Sequence, residues 1–508
     1  MKKYSLIIAF LWVAGSAYAQ NRNDVALYAD DDLNGTARYQ SMSGAFGALG
    51  GDLSSLNINP AGSAVFTTSA FTVSAGNYRM DTESNYFNQQ SNDHASDLQF
   101  NQAGGVFVFN NMSNSPWKKF SLAVGYELNN SFENQYVIRG NGNNSIASYF
   151  SSNAQGVPLE ELEVFSDENL TDRYMDLGNS YGFSGQQGLL GYQNYIINPV
   201  TEDPSETDYV SNADFANDLY HNQRVYTSGF NSKFLVNFAT QFTDQFYFGA
   251  GLNFHSVERE KITQFDESGY ANDSNLQYVQ FDNELFTYGN GFSFNLGGIA
   301  KLNNLIRVGA SYQSPTWYTL TDELHQFINT DYYEDSASTE LLYAENSPQT
   351  TLLFPDYKIQ IPGKWTGSMA FIFGNNGLIS VDYQYQDMAN AKLKPDNDAY
   401  FAHENDLIAN EFKATSTVRV GGEYRVNRLS FRAGYRFEGS PYKNGLTMGD
   451  LNGYSAGIGY TFGPSRLDLG FSQSQRDYNT QLYDTGLTSA SDLDQRRTRI
   501  VLSYTFNM

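Results

Sequence analysis

The sequence predicts an all-β protein, a 14-stranded antiparallel transmembrane β-barrel with an N-terminal hatch, or plug, inside its lumen. Three observations carry this prediction. Stretch after stretch alternates with period two, one face apolar and the other polar. The connections between stretches alternate short and long. A Gly-rich segment without strand alternation precedes them all.

Composition narrows the class. The chain has 508 residues and a formal net charge of −24, which argues against a nucleic-acid partner, since a phosphate backbone needs a basic face. Aromatic content is high, with 37 Tyr and 37 Phe against 4 Trp. The mean hydropathy is negative, so no helical membrane protein is implied. A barrel hides from that test because its strands alternate. There is no Cys, which excludes disulfides, thiolate metal sites and Cys nucleophiles.

The N-terminus reads as an export signal. Lys2-Lys3 is followed by an apolar run over residues 4–14 and by Ala17-Tyr18-Ala19, a small-x-small cleavage site. Residues 1–19 are therefore read as a signal peptide for Sec-type export, with Gln20 as the first mature residue. The run is too short for a membrane-spanning helix, which needs about 20 apolar residues.

Next comes Asp30-Asp31-Asp32-Leu33-Asn34-Gly35, which matches the opening D-x-D-x-N-G of a calcium loop, with Asp30, Asp32 and Asn34 as the candidate ligands. The twelfth position should be Glu and is Ser41, so the bidentate ligand is missing. A solvated acidic turn is the plainer expectation. Residues 35–62 are rich in Gly and small residues, which lets backbone pack closely in a confined space. The segment ends in Asn59-Pro60-Ala61, a sequence that fits a turn. Residues 20–64 are assigned to the hatch and 65–508 to the barrel.

Strands are expected near residues 65–79, 99–110, 119–133, 226–242, 245–262, 284–302, 305–321, 358–374, 377–393, 413–426, 429–439, 452–462, 466–480 and 496–507. In one of the clearest, Leu429, Phe431, Ala433, Tyr435 and Phe437 face one way, and Ser430, Arg432, Gly434 and Arg436 the other. Short connections such as Thr243-Asp244, Asn303-Asn304 and Asn427-Arg428 alternate with long ones near 80–98, 134–225, 263–283, 322–357, 394–412, 440–451 and 481–495. Tight periplasmic turns and long surface loops on an even number of strands are the pattern of a bacterial outer-membrane barrel. Aromatics gather toward strand ends, as interfacial girdles do, and Arg and Glu suit a wet or plugged lumen. The last strand alternates Ile500, Leu502, Tyr504 and Phe506. The longest insertion, 134–225, is acidic and polar, with a short helix expected around residues 159–165. A loop of that length is usually a lid or a binding surface.

Catalytic and metal signals are weak. The histidines His94, His221, His255, His325 and His403 are scattered, with no ligand spacing, so no metal or cofactor is expected. Asp93-His94 with Asp97 imitates an acid–histidine protease site, but no positioned partner is visible. No G-x-S-x-G elbow is present.

At this point the residues resemble a known family, the FadL-type outer-membrane transporters of long-chain fatty acids and other hydrophobic compounds. The hatch-like segment ending in Asn59-Pro60-Ala61, the fourteen strands and the Pro-containing run Ile361-Pro362-Gly363-Lys364-Trp365 carry the match. The form of residues 44–55 is similar to a branch found in Bacteroidetes-type bacteria. The resemblance implies passive uptake of hydrophobic molecules across the outer membrane, gated by the hatch. It implies no enzymatic activity and no cofactor. Asn59, Pro60 and Ala61 would set where the hatch opens. Phe46, Leu49 and Leu53 are candidate ligand contacts, against the ordinary role of such residues in packing. The implied partners are fatty acids or similar small molecules, membrane lipid, and the barrel-assembly machinery during biogenesis. An alternative on the same fold is a non-transport scaffold of a secretion machine working through its loops. A hydrophilic porin is disfavoured by the plug.

Overall fold

The computed structural model of the chain describes residues 21–334 and 338–508; the expected signal peptide lies outside them. A single closed antiparallel sheet dominates. Its fourteen staves are β1 (Ala70–Tyr86), β2 (Gln89–Asn110), β3 (Trp117–Ser131, continued by Asn134–Gly142), β4 (Leu219–Phe242), β5 (Phe246–Ser268), β6 (Leu276–Lys301), β7 (Ile306–Gln313 and Thr316–Tyr332), β8 (Tyr357–Ile361 and Lys364–Phe373), β9 (Gly377–Asp387, continued by Lys392–Lys394), β10 (Ala414–Val426), β11 (Leu429–Glu438), β12 (Leu451–Phe462), β13 (Ser465–Gln481) and β14 (Ala490–Asn507). β1 pairs with β14 from Ala70↔Asn507 to Asn85↔Asp492, so no open edge remains there. Among the described residues no helix is long and apolar enough to cross a membrane; the strands do so.

Period-two alternation positions every wall residue. On β14, Ile500, Leu502, Tyr504 and Phe506 are exposed to lipid, while Arg499, Val501 and Ser503 are buried inside. The outer surface is a belt of exposed Phe, Leu, Ile and Tyr, the apolar band that hydrocarbon requires.

The wall departs from regularity in two places. β7 breaks at Ser314-Pro315 and β8 at Pro362-Gly363, and the two breaks face each other, since Gln313 pairs with Lys364 and Thr316 with Ile361. Proline cannot donate to a ladder and sits where the ladder is interrupted. Separately, the β2–β3 ladder ends at Gln102↔Glu127, although β2 runs on to Gln89 and β3 continues beyond.

Several strands are longer than their lipid-facing part. The long connection expected over 80–98 is instead strand, closed by a two-residue turn at Phe87-Asn88 with φ of 46° and 62°, the mirror-image geometry that matches strand twist. Above the membrane this hairpin meets water on its outer face. Residues such as Asn85, Gln90 and Asn92 are polar where lipid would demand apolar ones, and the alternation disappears. For the same reason the connection expected over 263–283 shrinks to residues 269–275.

The insertion expected over 134–225 loses its ends to β3 and β4. The remainder folds as a cap with α3 (Ala147–Ala154), α4 (Leu159–Leu162) and α5 (Leu170–Gln193). α5 breaks at Gly182, whose φ of +69° and ψ of −163° suit only glycine. The cap shares one apolar cluster with the barrel rim, including Phe150, Leu189 and Leu190 of the cap and Phe281, Ile328 and Leu493 of the wall. A fully buried carboxylate pins its base. Glu267 of β5 accepts from Ser145 Oγ, from Ile146 N at 2.8 Å and from Tyr270 OH at 2.5 Å, with His221 Nε2 3.1 Å away. Glu267→Ala strands these donors and should cost the cap about 3 kcal/mol. The expected result is protease nicking within residues 143–218 while the heat-modifiable gel shift of the barrel is unchanged.

Candidate functional site

The lumen is filled in layers by the N-terminal segment. At the periplasmic end, α2 (Ala37–Ser41) and 3-10 turns at Leu53–Asn57 and Pro60–Val65 pack backbone against wall glycines. A Cβ on Gly434 would lie 2.5 Å from the Met42 carbonyl carbon, and one on Gly249 would lie 2.4 Å from that of Pro60. Asn59 is one of the stitches between plug and wall. Its amide donates to Gly47 O at 2.8 Å within the plug and to Gly298 O of β6 at 3.0 Å, while its oxygen caps Ala61 N at 3.1 Å. Pro60 starts the turn that rests on Gly249.

Above the plug runs an acidic strap. Asp32 meets Arg497 and Arg499 of β14. Asp30 meets Arg476 of β13 at 3.1 Å, and Asp31 pairs with Lys364 of β8. Arg436 of β11 donates to Asp31 O at 2.9 Å. Burial alone would raise the pKa of Asp31, but Lys364 beside it more than offsets this and holds the carboxyl below its ordinary range. The expected solvated turn is therefore a correction: the strap lies in the lumen, and the Asp32 carboxylate is fully buried between two guanidinium groups. Guanidinium groups occupy the place a metal ion would take, and among the described residues no cluster is arranged to hold one.

The strap also lies against the gap between β2 and β3. Asn34 accepts from Asn101 Nδ2 of β2 at 3.2 Å and donates to Asn129 O of β3 at 3.4 Å. Just above, Gln99 Nε2 reaches Ser131 Oγ at 2.6 Å.

Toward the extracellular end, α1 (Arg22–Ala29) lies in an apolar chamber. Its Asn21–Asp24 capping box starts the helix. Val25, Ala26 and Tyr28 are buried against Tyr318, Leu320 and Ile359 of the wall and against Phe401 and Ile408 of α6 (Ala399–Glu411). Arg22 Nε reaches Glu411 at 2.7 Å, Arg22 N reaches Glu404 at 2.7 Å, and Tyr442 OH donates to Asn23 at 2.9 Å. A small polar cavity of about 60 Å³ is bordered by Asp31, Asp32, Glu127, Lys233, Lys364 and Arg436. Ligand pockets are typically several hundred Å³.

The structure brings Asn59, Pro60 and Ala61 together at the plug–wall seam. Phe46 and Leu49 pack with Tyr39, Met42, Ala370 and Leu378, and Leu53 packs with Leu56, Val106 and Leu235. None of the three borders the cavity. His94 is exposed on the β1–β2 hairpin, and Asp93 accepts from Gln135 at 2.9 Å. Sequence reasoning placed residues 20–64 in the hatch but identified neither the α1 helix nor the wall cations that pair with the strap. The visible signal was the row of inward Arg at 436, 476, 497 and 499, which calls for buried anions.

Residues 206–507 match the family model described as outer membrane protein transport protein (OMPP1/FadL/TodX). The chain belongs to this family. FadL/TodX-type proteins are outer-membrane channels for hydrophobic compounds rather than enzymes. The fold is similar to that of a FadL homologue from Pseudomonas aeruginosa, with a TM-score of 0.52 and 13% identity, over 94% of this chain and 99% of that one. The toluene transporter TodX of P. putida aligns with a TM-score of 0.49 and 14% identity, over 94% and 99% of the two chains. No curated protein matches this FadL/TodX-family member in sequence.

Two outcomes follow from the geometry. Gly434→Val sets a side chain into Met42 and Ser43 backbone that has no room to retreat, and should loosen the plug by about 1–3 kcal/mol, read as faster amide exchange over residues 37–47. Asp24 has its carboxyl pushed up to about 6 by burial, with Asp322 adding to the shift and Arg259 and Lys261 opposing it. A raised carboxyl pKa favours the seated helix below about pH 4, and that contribution is lost as pH rises through 6. Proteolysis at residues 21–29 should therefore be slower at pH 5 than at pH 8, and Asp24→Asn should flatten the difference.

Proposed function

We propose that this FadL/TodX-family barrel is a passive channel for apolar molecules, long-chain fatty acids among them, gated by its own N-terminal segment. One observation carries the reading: the apolar chamber beneath the surface loops is occupied by α1 of the same chain. An incoming apolar molecule would compete with Val25, Ala26 and Tyr28 for one surface. Residues 1–19 would direct Sec-type export, and assembly of the fourteen strands would use the barrel-assembly machinery. Displacing α1 pulls on the strap, and the strap covers the β2–β3 gap through Asn34. The exit would then be sideways into the membrane. Phe46, Leu49 and Leu53 would become ligand contacts only after the hatch moves, with Asn59-Pro60-Ala61 as the fixed seam about which it turns.

The test is uptake of a labelled long-chain fatty acid by cells whose own channel is deleted. Removal of residues 21–29 should raise the rate several-fold. A Gln99→Cys/Ser131→Cys pair, in a chain with no native Cys, should block uptake when oxidised and restore it when reduced. Unchanged uptake in both variants sinks the channel reading. A second reading is favoured by the small polar cavity and the folded cap: a scaffold that binds a protein partner through its loops. A stable protein partner recovered with the native barrel, alongside no uptake, would establish it.

A further inference from the structure

The periplasmic mouth carries charges that the gate does not use. Lys119 of β3, Lys301 of β6 and Arg307 of β7 all turn into the lumen at its lower end. Lys301 and Arg307 are direct partners in the antiparallel ladder, so their side chains leave the same face. Like charges placed opposite one another are destabilising. Elsewhere in the lumen such cations have carboxylates: Arg432 has Asp468 at 2.9 Å and Arg476 has Glu438 at 2.7 Å. Among the described residues none of the three mouth cations forms an ion pair. Lys119 Nζ donates to Phe66 O at 2.6 Å, Arg307 donates to Leu49 O at 3.2 Å, and Lys301 Nζ sits 4.7 Å from the centre of the Tyr247 ring.

Those two carbonyls mark the underside of the plug. Gly51 N bonds Gly62 O at 3.1 Å, which brings the Leu49 and Phe66 ends together. Val65 and Phe66 are half-buried, and Thr67 and Thr68 are exposed. Three cations thus ring a solvent-facing patch of plug backbone, in a chain whose net charge is −24.

We propose that Lys119, Lys301 and Arg307 form a site for one anionic group, a carboxylate or a phosphate, at the periplasmic face of the plug. The bound anion competes with the Leu49 and Phe66 carbonyls for the same donors. An anion adds Coulomb attraction to the hydrogen bond that a neutral carbonyl accepts, and an anion between Lys301 and Arg307 also relieves their repulsion. Occupancy therefore weakens two of the bonds that hold the plug. The site stands independently of what crosses the channel, because binding is measurable without transport.

The experiment uses the full chain in a non-ionic detergent, titrated by calorimetry with inorganic phosphate and with octanoate, then repeated in nanodiscs with and without phosphatidylglycerol. Amide exchange over residues 47–66 is followed in parallel. Lys301→Gln is the informative variant, because Lys301 makes no hydrogen bond to the plug. Lys118→Gln, next to Lys119 but exposed, controls for bulk charge. The expected result is binding about tenfold weaker in Lys301→Gln and unchanged in Lys118→Gln, with faster plug exchange when wild type is saturated. Binding of both soluble probes, or an added effect of the anionic lipid, names the natural source of the group. Equal affinity in wild type and Lys301→Gln overturns the site. So does binding that leaves plug exchange unaltered.

Discussion

The lattice between the acidic strap and the wall arginines constrains everything else in the lumen. Asp30, Asp31 and Asp32 belong to the N-terminal segment, whereas Lys364, Arg476, Arg497 and Arg499 belong to strands more than 300 residues away. Neither set is tolerable alone, because an unpaired buried charge costs several kcal/mol. Assembled, the pairs add little net stability over an apolar filling, but they permit one register only. That register places α1 in the upper chamber, Asn34 against the β2–β3 gap and the small-residue plug on its wall glycines. α1 is held by apolar contacts and partly exposed pairs, the strap by charge, and the plug below it by close packing together with the buried Arg38–Glu423 pair.

Below the strap, the plug's fit depends on what is missing. Inward positions that a barrel would fill with large side chains are Gly249, Gly309, Gly421, Gly434 and Gly470, where plug backbone lies directly on them, and Gly297 and Gly457, which take the Asn59 and Ser41 side chains. The backbone contacts exclude water without interlocking side chains. Side-chain bonds also tie the seated plug to the wall along its length, among them Arg38 to Glu423 at 3.0 Å, Ser54 to Gln102 at 2.9 Å and Ser63 to Ser121 at 2.9 Å. Asn59 adds a bond across to Gly298, at the seam about which the proposed gate would turn.

The sequence made the wall legible wherever lipid enforces alternation. β11 and β12 stand where the period-two pattern put them, because each outward residue there must be apolar. The pattern failed above the membrane, where the β1–β2 hairpin carries polar residues on its outer face and is held by backbone pairing and by inner-face contacts such as Tyr86 to His221 at 2.8 Å. The strap was misread for a related reason. An acidic run reads the same whether it is solvated or paired with guanidinium groups, and the deciding residues, Arg497 and Arg499, are remote in sequence. α1 left almost no trace, since eight residues with three buried side chains give little periodicity. Phe46 and Leu49 were visible as apolar, but only the packed structure shows that their surroundings leave them no free face.

These unequal forces give the proposed gate its order of opening. Swapping α1 for an apolar ligand keeps apolar surface buried in both states, so the hydrophobic term nearly cancels. What remains at the top is the Arg22 latch: the pair with Glu411, both about a third exposed, is worth about 1 kcal/mol or less, while the buried Glu404 carboxylate gives up Arg22 N as well. A ligand therefore needs only modest differential affinity to occupy the chamber. The strap is a different barrier: separating Asp32 from two arginines exposes three buried charges at once unless water follows them in. The polar cavity of about 60 Å³ lies beside that lattice and offers water an entry. A gate built this way fills from the top at low cost and yields below only when the strap is hydrated, so the rate of passage is set at Asp30–Asp32 rather than at the chamber.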